Sequence, residues 1–275
     1  MSIKDLLVVL DVEDKQAPAH RFALSLAQQA QAHLTFAGLA VQYVAPVSFG
    51  GEYPYDLMAQ AMEQTRNALE ENYARVRAYA PEDAPSDFLV IEAVSGLANA
   101  RLGELARHFD MAVIGQEEDS STGDDNGFIV ATLFGSGRPV FITPYIHQGP
   151  AKLDHAIVAW DGGLVAARAL AAAMPLLERA RRVEVVTIAP SDAPVDELPG
   201  FNITRHLARH GVPVELRQLA PADDVAAALL SHAAETGADY LVMGAYGHSR
   251  FRQFMLGGAT RDMLRSMTLP VLMAH

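Results

Sequence analysis

Two short apolar runs, each closed by an aspartate, stand about 150 positions apart: Leu6-Leu7-Val8-Val9-Leu10-Asp11 and Ala156-Ile157-Val158-Ala159-Trp160-Asp161. Runs this short read as strands, and continuous rather than alternating apolar character means burial on both faces. Each is followed by a polar or glycine turn and an Ala/Leu-rich helical stretch, His20 to Ala32 in the first half and Leu164 to Arg179 in the second. A second apolar run comes next, Leu34 to Val41 and Val183 to Ile188. Farther on, a helix again precedes a run: Leu97 to His108 before Met111 to Gly115, and Ala222 to Thr236 before Tyr240 to Gly244. Each half closes on a proline and apolar residues, Pro139-Val140-Phe141-Ile142 and Pro270-Val271-Leu272-Met273. Buried strands alternating with longer amphipathic stretches, twice over, restrict the chain to an α/β architecture of two tandem doubly wound domains, each a mostly parallel sheet flanked by helices. The joint falls in the turn residues His147-Gln148-Gly149-Pro150, giving domains of residues 1–147 and 151–275. Tyr43 to Tyr55 reads as a longer loop peculiar to the first half, and Asp56 to Tyr79 as a long helix polar on one face.

Half of the 275 residues are apolar, which supplies a real core. There is no apolar run of membrane-spanning length, and acids follow the first run where a secretory signal needs a longer apolar stretch and a cleavage site. A chain without cysteine holds no disulfide, iron–sulfur cluster or thiolate metal site, so the expectation is a cytoplasmic protein with no membrane partner. The formal charge of −12 argues against nucleic acid as a partner. That charge is uneven: residues 1–150 carry 9 basic and 20 acidic side chains, residues 151–275 carry 12 and 13. An anion would be better received in the second half.

Ligands of open parallel sheets bind outside the carboxyl ends of the strands, near the point where strand order reverses. Three features of the second half fall there. Asp161 ends its first strand, Gly244 and Gly247 end the run at Tyr240, and Gly257-Gly258-Ala259-Thr260 opens a helix over Ala259 to Met267. Glycines admit positive φ and let backbone N–H groups approach a ligand, and a helix N-terminus favours negative charge. His248, Ser249, Arg250 and Arg252 add donors between the glycine pairs, so the segment has the chemistry of a phosphate cradle. An acid at a strand tip suits a ribose hydroxyl or a base amine instead. Asp161 also suits a plain turn-forming role, the two arginines a solvated face, and Trp160 either the core or the wall of an adenine pocket. Neither GxxxxGK[ST] nor a GxGxxG after a first strand is present. His206 and His210 are one helical turn apart without an acidic third ligand, so no metal site is expected. His248 and Ser249 lack the orienting third group of a nucleophile pair, so no catalytic residue is named.

Gly244-Ala245-Tyr246-Gly247, nine residues, then Gly257-Gly258 resembles the ATP-binding motif of the universal stress protein family. The strand-ending Asp11 and Asp161, the closing Pro-Val strands and the domain lengths are similar too, over nearly the whole chain, as in a tandem member. The resemblance implies a five-stranded sheet per domain of the adenine nucleotide alpha hydrolase-like type, and pairing of the domains through their last strands, with a homodimer a further option. It implies an adenine nucleotide, ATP with Mg²⁺ on its phosphates, held by Asp161 at the base or ribose and by Gly244, Gly247 and Gly257 at the phosphates. His248, Arg250 and Thr260 stand nearby as further donors. Gly258 occupies the position where the family usually has Ser or Thr. In the first half Gly115 aligns with Gly244, but Glu117, Glu118, Asp119, Asp124 and Asp125 follow, and carboxylates repel a triphosphate. The expectation there is a degenerate pocket.

Overall fold

A computed structural model of the chain describes residues 2–12, 16–42, 55–81, 84–94, 96–117, 127–188, 202–247 and 258–275. The chain divides into two compact units, Ile3–Arg138 with Gln148–Pro150, and Pro139–His147 with Ala151–His275.

The N-terminal unit runs β1 (Asp5–Leu10), α1 (Ala17–Ala30), β2 (His33–Gln42), α2 (Tyr55–Tyr79), β3 (Ser86–Val94), α3 (Ala98–Ala106), β4 (Met111–Gly115) and α4 (Gly127–Ser136). Its four strands are parallel in the order β3-β2-β1-β4, with Leu6 opposite both Leu34 and Met111. β1 and β4 are buried along almost their whole lengths, as strands covered on both faces must be. α1 has a proline in its first turn and ends on Gln31 in the left-handed region (φ 53), whose N–H returns to the last turn of the helix.

The C-terminal unit begins with β5 (Val140–Thr143) and continues β6 (His155–Ala159), α5 (Leu164–Leu177), β7 (Arg182–Ile188), α6 (Ile203–Arg209), β8 (Val214–Leu219), α7 (Val225–Thr236), β9 (Tyr240–Gly244), α8 (Gly258–Ser266) and β10 (Val271–Ala274). Five strands are parallel in the order β8-β7-β6-β9-β10, with Ala156 opposite Val183 and Tyr240. β5 adds antiparallel to β10, Phe141 opposite Leu272. It is therefore by its contacts part of this unit, although it closes the first half of the sequence. Pro139 and Pro270 lie just before the two short strands, where a missing N–H costs the ladder nothing. α7 has an aspartate cap, Asp224 accepting from the Ala227 N–H at 2.9 Å, and stops at Gly237 (φ 67).

The α/β pattern read from the sequence is the one observed, with helix ends shifted by one to three residues. β3, β8 and α4 were not legible. β8, VELRQL, is an edge strand exposed at most positions, so it carries no continuous apolar run.

Candidate functional site

Strand order in the C-terminal unit reverses between β6 and β9, so the loops that leave their carboxyl ends diverge and open a crevice. A cleft of about 240 Å³ occupies that place. Much of the wall is apolar: Ala159 at the end of β6 and Trp160 just after it, Val186 and Ile188 from β7, Val225 and Leu229 from α7, with Val165 and Ala166 of α5 and Met243 of β9. Asp161, Gly244, Tyr246, Gly247, Gly258 and Thr260 line the rest. The sequence-predicted residues Asp161, Gly244, Gly247, Gly258 and Thr260 are thus brought together around one cavity. His248, Arg250 and Gly257 lie outside the described residues, as do Glu118, Asp119, Asp124 and Asp125 of the first half.

Asp161 is exposed at the mouth. Its Oδ1 accepts from the Gly163 N–H at 2.8 Å, which closes a tight turn into α5. Gly162 in that turn has φ 76 and requires glycine for its backbone conformation. The turn-forming role of Asp161 is therefore real, and it uses one oxygen. Oδ2 has no partner among the described residues and is left to accept a hydrogen bond from a guest.

The glycines of the opposite wall are needed for close approach. A Cβ on Gly244 would lie 2.7 Å from the Ala166 nitrogen and from the Val165 carbonyl carbon, so the strand end touches the backbone of α5 directly. Gly247 does not have the positive φ that its loop position suggests. A Cβ there would meet the Val165 Cγ2 at 2.5 Å, so the constraint is a side-chain contact. The left-handed residue is Tyr246, φ 56. Its N–H donates to the Thr260 Oγ1 at 3.2 Å, and the neighbouring Ala245 N–H donates to the Ala274 carbonyl at 2.9 Å. The His275 ring nitrogen Nδ1 holds the Ala245 carbonyl at 3.0 Å. Thr260, which is buried, thus fastens the loop through its hydroxyl while lining the cleft. Burial pushes the Tyr246 phenol up and the Arg261 guanidinium lowers it in part, so the group stays neutral near neutrality.

Backbone donors at this end point to negative charge. The N–H groups of Gly247 and of the first turn of α8, Gly258 to Thr260, have no hydrogen bond to the described residues. No lysine or arginine stands among the described lining residues, and Asp161 is their one formal charge. The cleft is an apolar slot with a single acid at one end and a helix N-terminus at the other.

At the matching place in the N-terminal unit, two described side chains bond to the strand end and to the helix start. Gln16, just before α1, is buried, and its Oε1 accepts from the Gly115 N–H at 2.5 Å. A Cβ on Gly115 would lie 2.6 Å from that same oxygen. Glu117 then turns its Oε1 to the Phe128 N–H, 3.0 Å away in the first turn of α4. Of the acids after Gly115, this described one supplies α4 with an internal anion.

Two residues the sequence reading passed over are central here. Gln16 gives no pattern signal. Glu184 lies inside the apolar strand Val183 to Ile188, and a charge in the middle of a doubly covered strand was the available sign.

Fold and cleft together define a doubly wound α/β protein with a cleft at its topological switch point. Residues 152–275 match the universal stress protein family. A universal stress protein of Synechocystis sp. is 24% identical over 183 residues, which make up 62% of this chain and 60% of that protein, so the match spans less than two thirds of the relative's length. The structure of a universal stress protein from Archaeoglobus fulgidus superposes with a TM-score of 0.68 at 15% identity, over 98% of this chain and 95% of that one. A protein of unknown function from Pseudomonas aeruginosa gives 0.54 at 15% identity, over 99% and 92%. At such identities the structural likeness speaks for the fold alone. The second half of the chain thus matches the universal stress protein family model, and the curated relative that the chain resembles is a universal stress protein.

Proposed function

We propose that residues 151–275 form a domain that binds an adenine nucleotide, and that residues 1–147 are a companion domain without a nucleotide. The observation that carries this reading is the cleft itself: an apolar slot beside Trp160, an oxygen of Asp161 at its mouth without a partner among the described residues, and N–H groups of Gly247 and α8 at its far end that have no acceptor among the described residues. A flat base suits the slot. Asp161 accepts a hydrogen bond from a ribose hydroxyl or a base amine. The phosphates, with Mg²⁺ travelling on them, lie against the backbone donors and the positive end of α8. His248 and Arg250 in the intervening segment are further donors to them. The role in this reading is reversible binding in a regulatory, stress-related function of a cytoplasmic protein.

Calorimetric titration with ATP, ADP and AMP tests the reading. One site per chain is expected, lost in Gly247→Val, whose side chain collides with Val165 at the rim while the strands keep their ladder. The absence of heat with all three nucleotides would replace it with a scaffold that binds no nucleotide, which Gly258 in place of a hydroxyl residue favours.

A further inference from the structure

Glu184 is a carboxylate within the apolar strand β7, and its side chain is 0% exposed. Four donors converge on it. The His155 Nε2 lies 2.8 Å from Oε1 and the His232 Nε2 3.0 Å from Oε2. The Arg182 Nη2 is 3.2 Å from Oε1 and the Arg217 Nε 3.5 Å from Oε2. Glu215 on β8 faces both guanidinium groups, 2.8 Å from Arg217 and 3.8 Å from Arg182. Burial alone would push the Glu184 carboxyl up. The hydrogen bonds from His155 and His232 and the Arg182 charge outweigh it and hold the group below the usual carboxylate range. An ionised carboxylate only accepts, so each imidazole donates from Nε2, and any further proton arrives at Nδ1, away from the junction.

The position of this junction gives it meaning. On β7, Glu184, Val186 and Ile188 share one face by the two-residue period. On α7, Val225, Leu229 and His232 form one stripe. His155 and Ala159 share the corresponding face of β6. Val186, Ile188, Val225, Leu229 and Ala159 wall the cleft. Three of the elements that line the apolar slot, β6, β7 and α7, are therefore the ones that one carboxylate ties together. A buried ionic junction is commonly no more stabilising than apolar residues of the same volume. What it adds is direction and a fixed separation.

We propose that Glu184, His155 and His232 are positioning residues for the cleft: joined at one carboxylate, they set the spacing of α7 from β6 and β7, and so the width of the slot beside Trp160, as long as Glu184 is ionised. A proton on Glu184 turns an acceptor into a donor facing donors and breaks the junction. The slot therefore keeps its width while Glu184 is ionised and widens when acid protonates that carboxylate.

Trp160 is the sole tryptophan of the chain and lines the slot, which gives a ligand-free readout. Its emission and acrylamide quenching would be followed against pH in the full chain, in Glu184→Gln, His232→Leu and His232→Gln. Wild type is expected to hold a constant signal through mild acid and to shift red, with stronger quenching, below the carboxylate range. His232→Leu is shifted already at neutral pH, and His232→Gln, which restores an amide donor, returns toward wild type. Glu184→Gln is shifted and loses the acid step. Equal signals from the Leu and Gln variants, or an unchanged acid step in Glu184→Gln, would overturn the proposal; if Glu184→Gln does not fold, the His232 pair decides. ATP titration of the same proteins keeps the two readings apart. Wild type that fails to bind ATP removes the nucleotide, while the Trp160 comparison still judges the junction.

Discussion

At the same corner of the same fold a cleft opens in the second half of the chain, whereas in the first half side chains of the protein bond to the strand end and to the helix start. Gln16 lies against Gly115 where Val165 lies against Gly244, and the polar one bonds to the strand end while the apolar one only touches it. Glu117 gives α4 the negative partner that α8 lacks among the described residues. A helix start leaves N–H groups that need an acceptor, and the acceptor can come from the chain or from a guest. Repetition of the fold preserved the opening at the switch point, and the few residues around it decide whether a ligand is needed to complete it.

The largest expected effect tests how rigidly each corner is built. Gly244→Val drives its Cβ into the backbone of α5, which cannot yield without moving the helix, so the C-terminal unit should lose about 3 kcal/mol. Gly115→Ala meets only the Gln16 side chain, which can rotate away. Urea denaturation of both variants should rank them in that order. Equal losses would show that Gln16 is as fixed as backbone. Next in size is Gln16→Ala, which leaves the Gly115 N–H buried without its acceptor, at a cost of about 2 kcal/mol. If the contrast between the halves is right, this variant also opens a hollow at the first switch point, and its uptake of ATP, measured calorimetrically, stays nil because Glu117 still occupies the helix start.

A third difference is visible only in acid. Among the described residues Glu184 is the one carboxylate that is almost wholly buried, and it belongs to the C-terminal unit. Its pKa in the folded chain is lowered from the ordinary 4.5. A lowered value means stability that is fully present above 4.5 and is lost as pH falls through the folded-state value. The C-terminal unit should therefore lose stability more steeply than the N-terminal one below that pH, and Glu184→Gln should flatten the difference. Hydrogen exchange in acid, read separately for peptides of β1 and of β7, measures it. Parallel acid profiles for the two units would remove this asymmetry.

What the sequence disclosed and what it withheld follow from the same physics. Strands buried on both faces, such as Leu6 to Leu10 and Tyr240 to Met243, announce themselves because every position must be apolar. β8 did not, because its edge position lets Glu215 and Arg217 stand in a strand. Asp161, Gly244, Gly247, Gly258 and Thr260 were legible as neighbours because strand tips and helix starts converge at the switch point of any such sheet. Their separate tasks were not. Spacing cannot tell that Thr260 bonds to Tyr246, or that Gly247 is small for Val165 and not for its φ, since both depend on how α5 and α8 meet the loop. The role of Gln16 was hidden for the same reason: it acts on Gly115, almost a hundred positions away.

The smallest expected effect isolates charge at the helix starts. Glu117→Gln keeps a side-chain oxygen able to accept from the Phe128 N–H, so the hydrogen bond at α4 survives and only the negative charge beside the helix dipole is lost. Such a charge contributes about 0.5 kcal/mol near the surface, and it is screened at about 1 M salt. The variant should therefore melt slightly below wild type in dilute buffer and together with it in concentrated salt. Sodium phosphate, compared with chloride at matched ionic strength, should protect both proteins alike if the anion that matters binds at α8. Protection gained only by the variant would mean that α4 is a second seat, held shut by Glu117. Identical melting in dilute buffer would mean that the carboxylate is a plain hydrogen-bond acceptor, and the contrast between the halves would then rest on Gln16 alone.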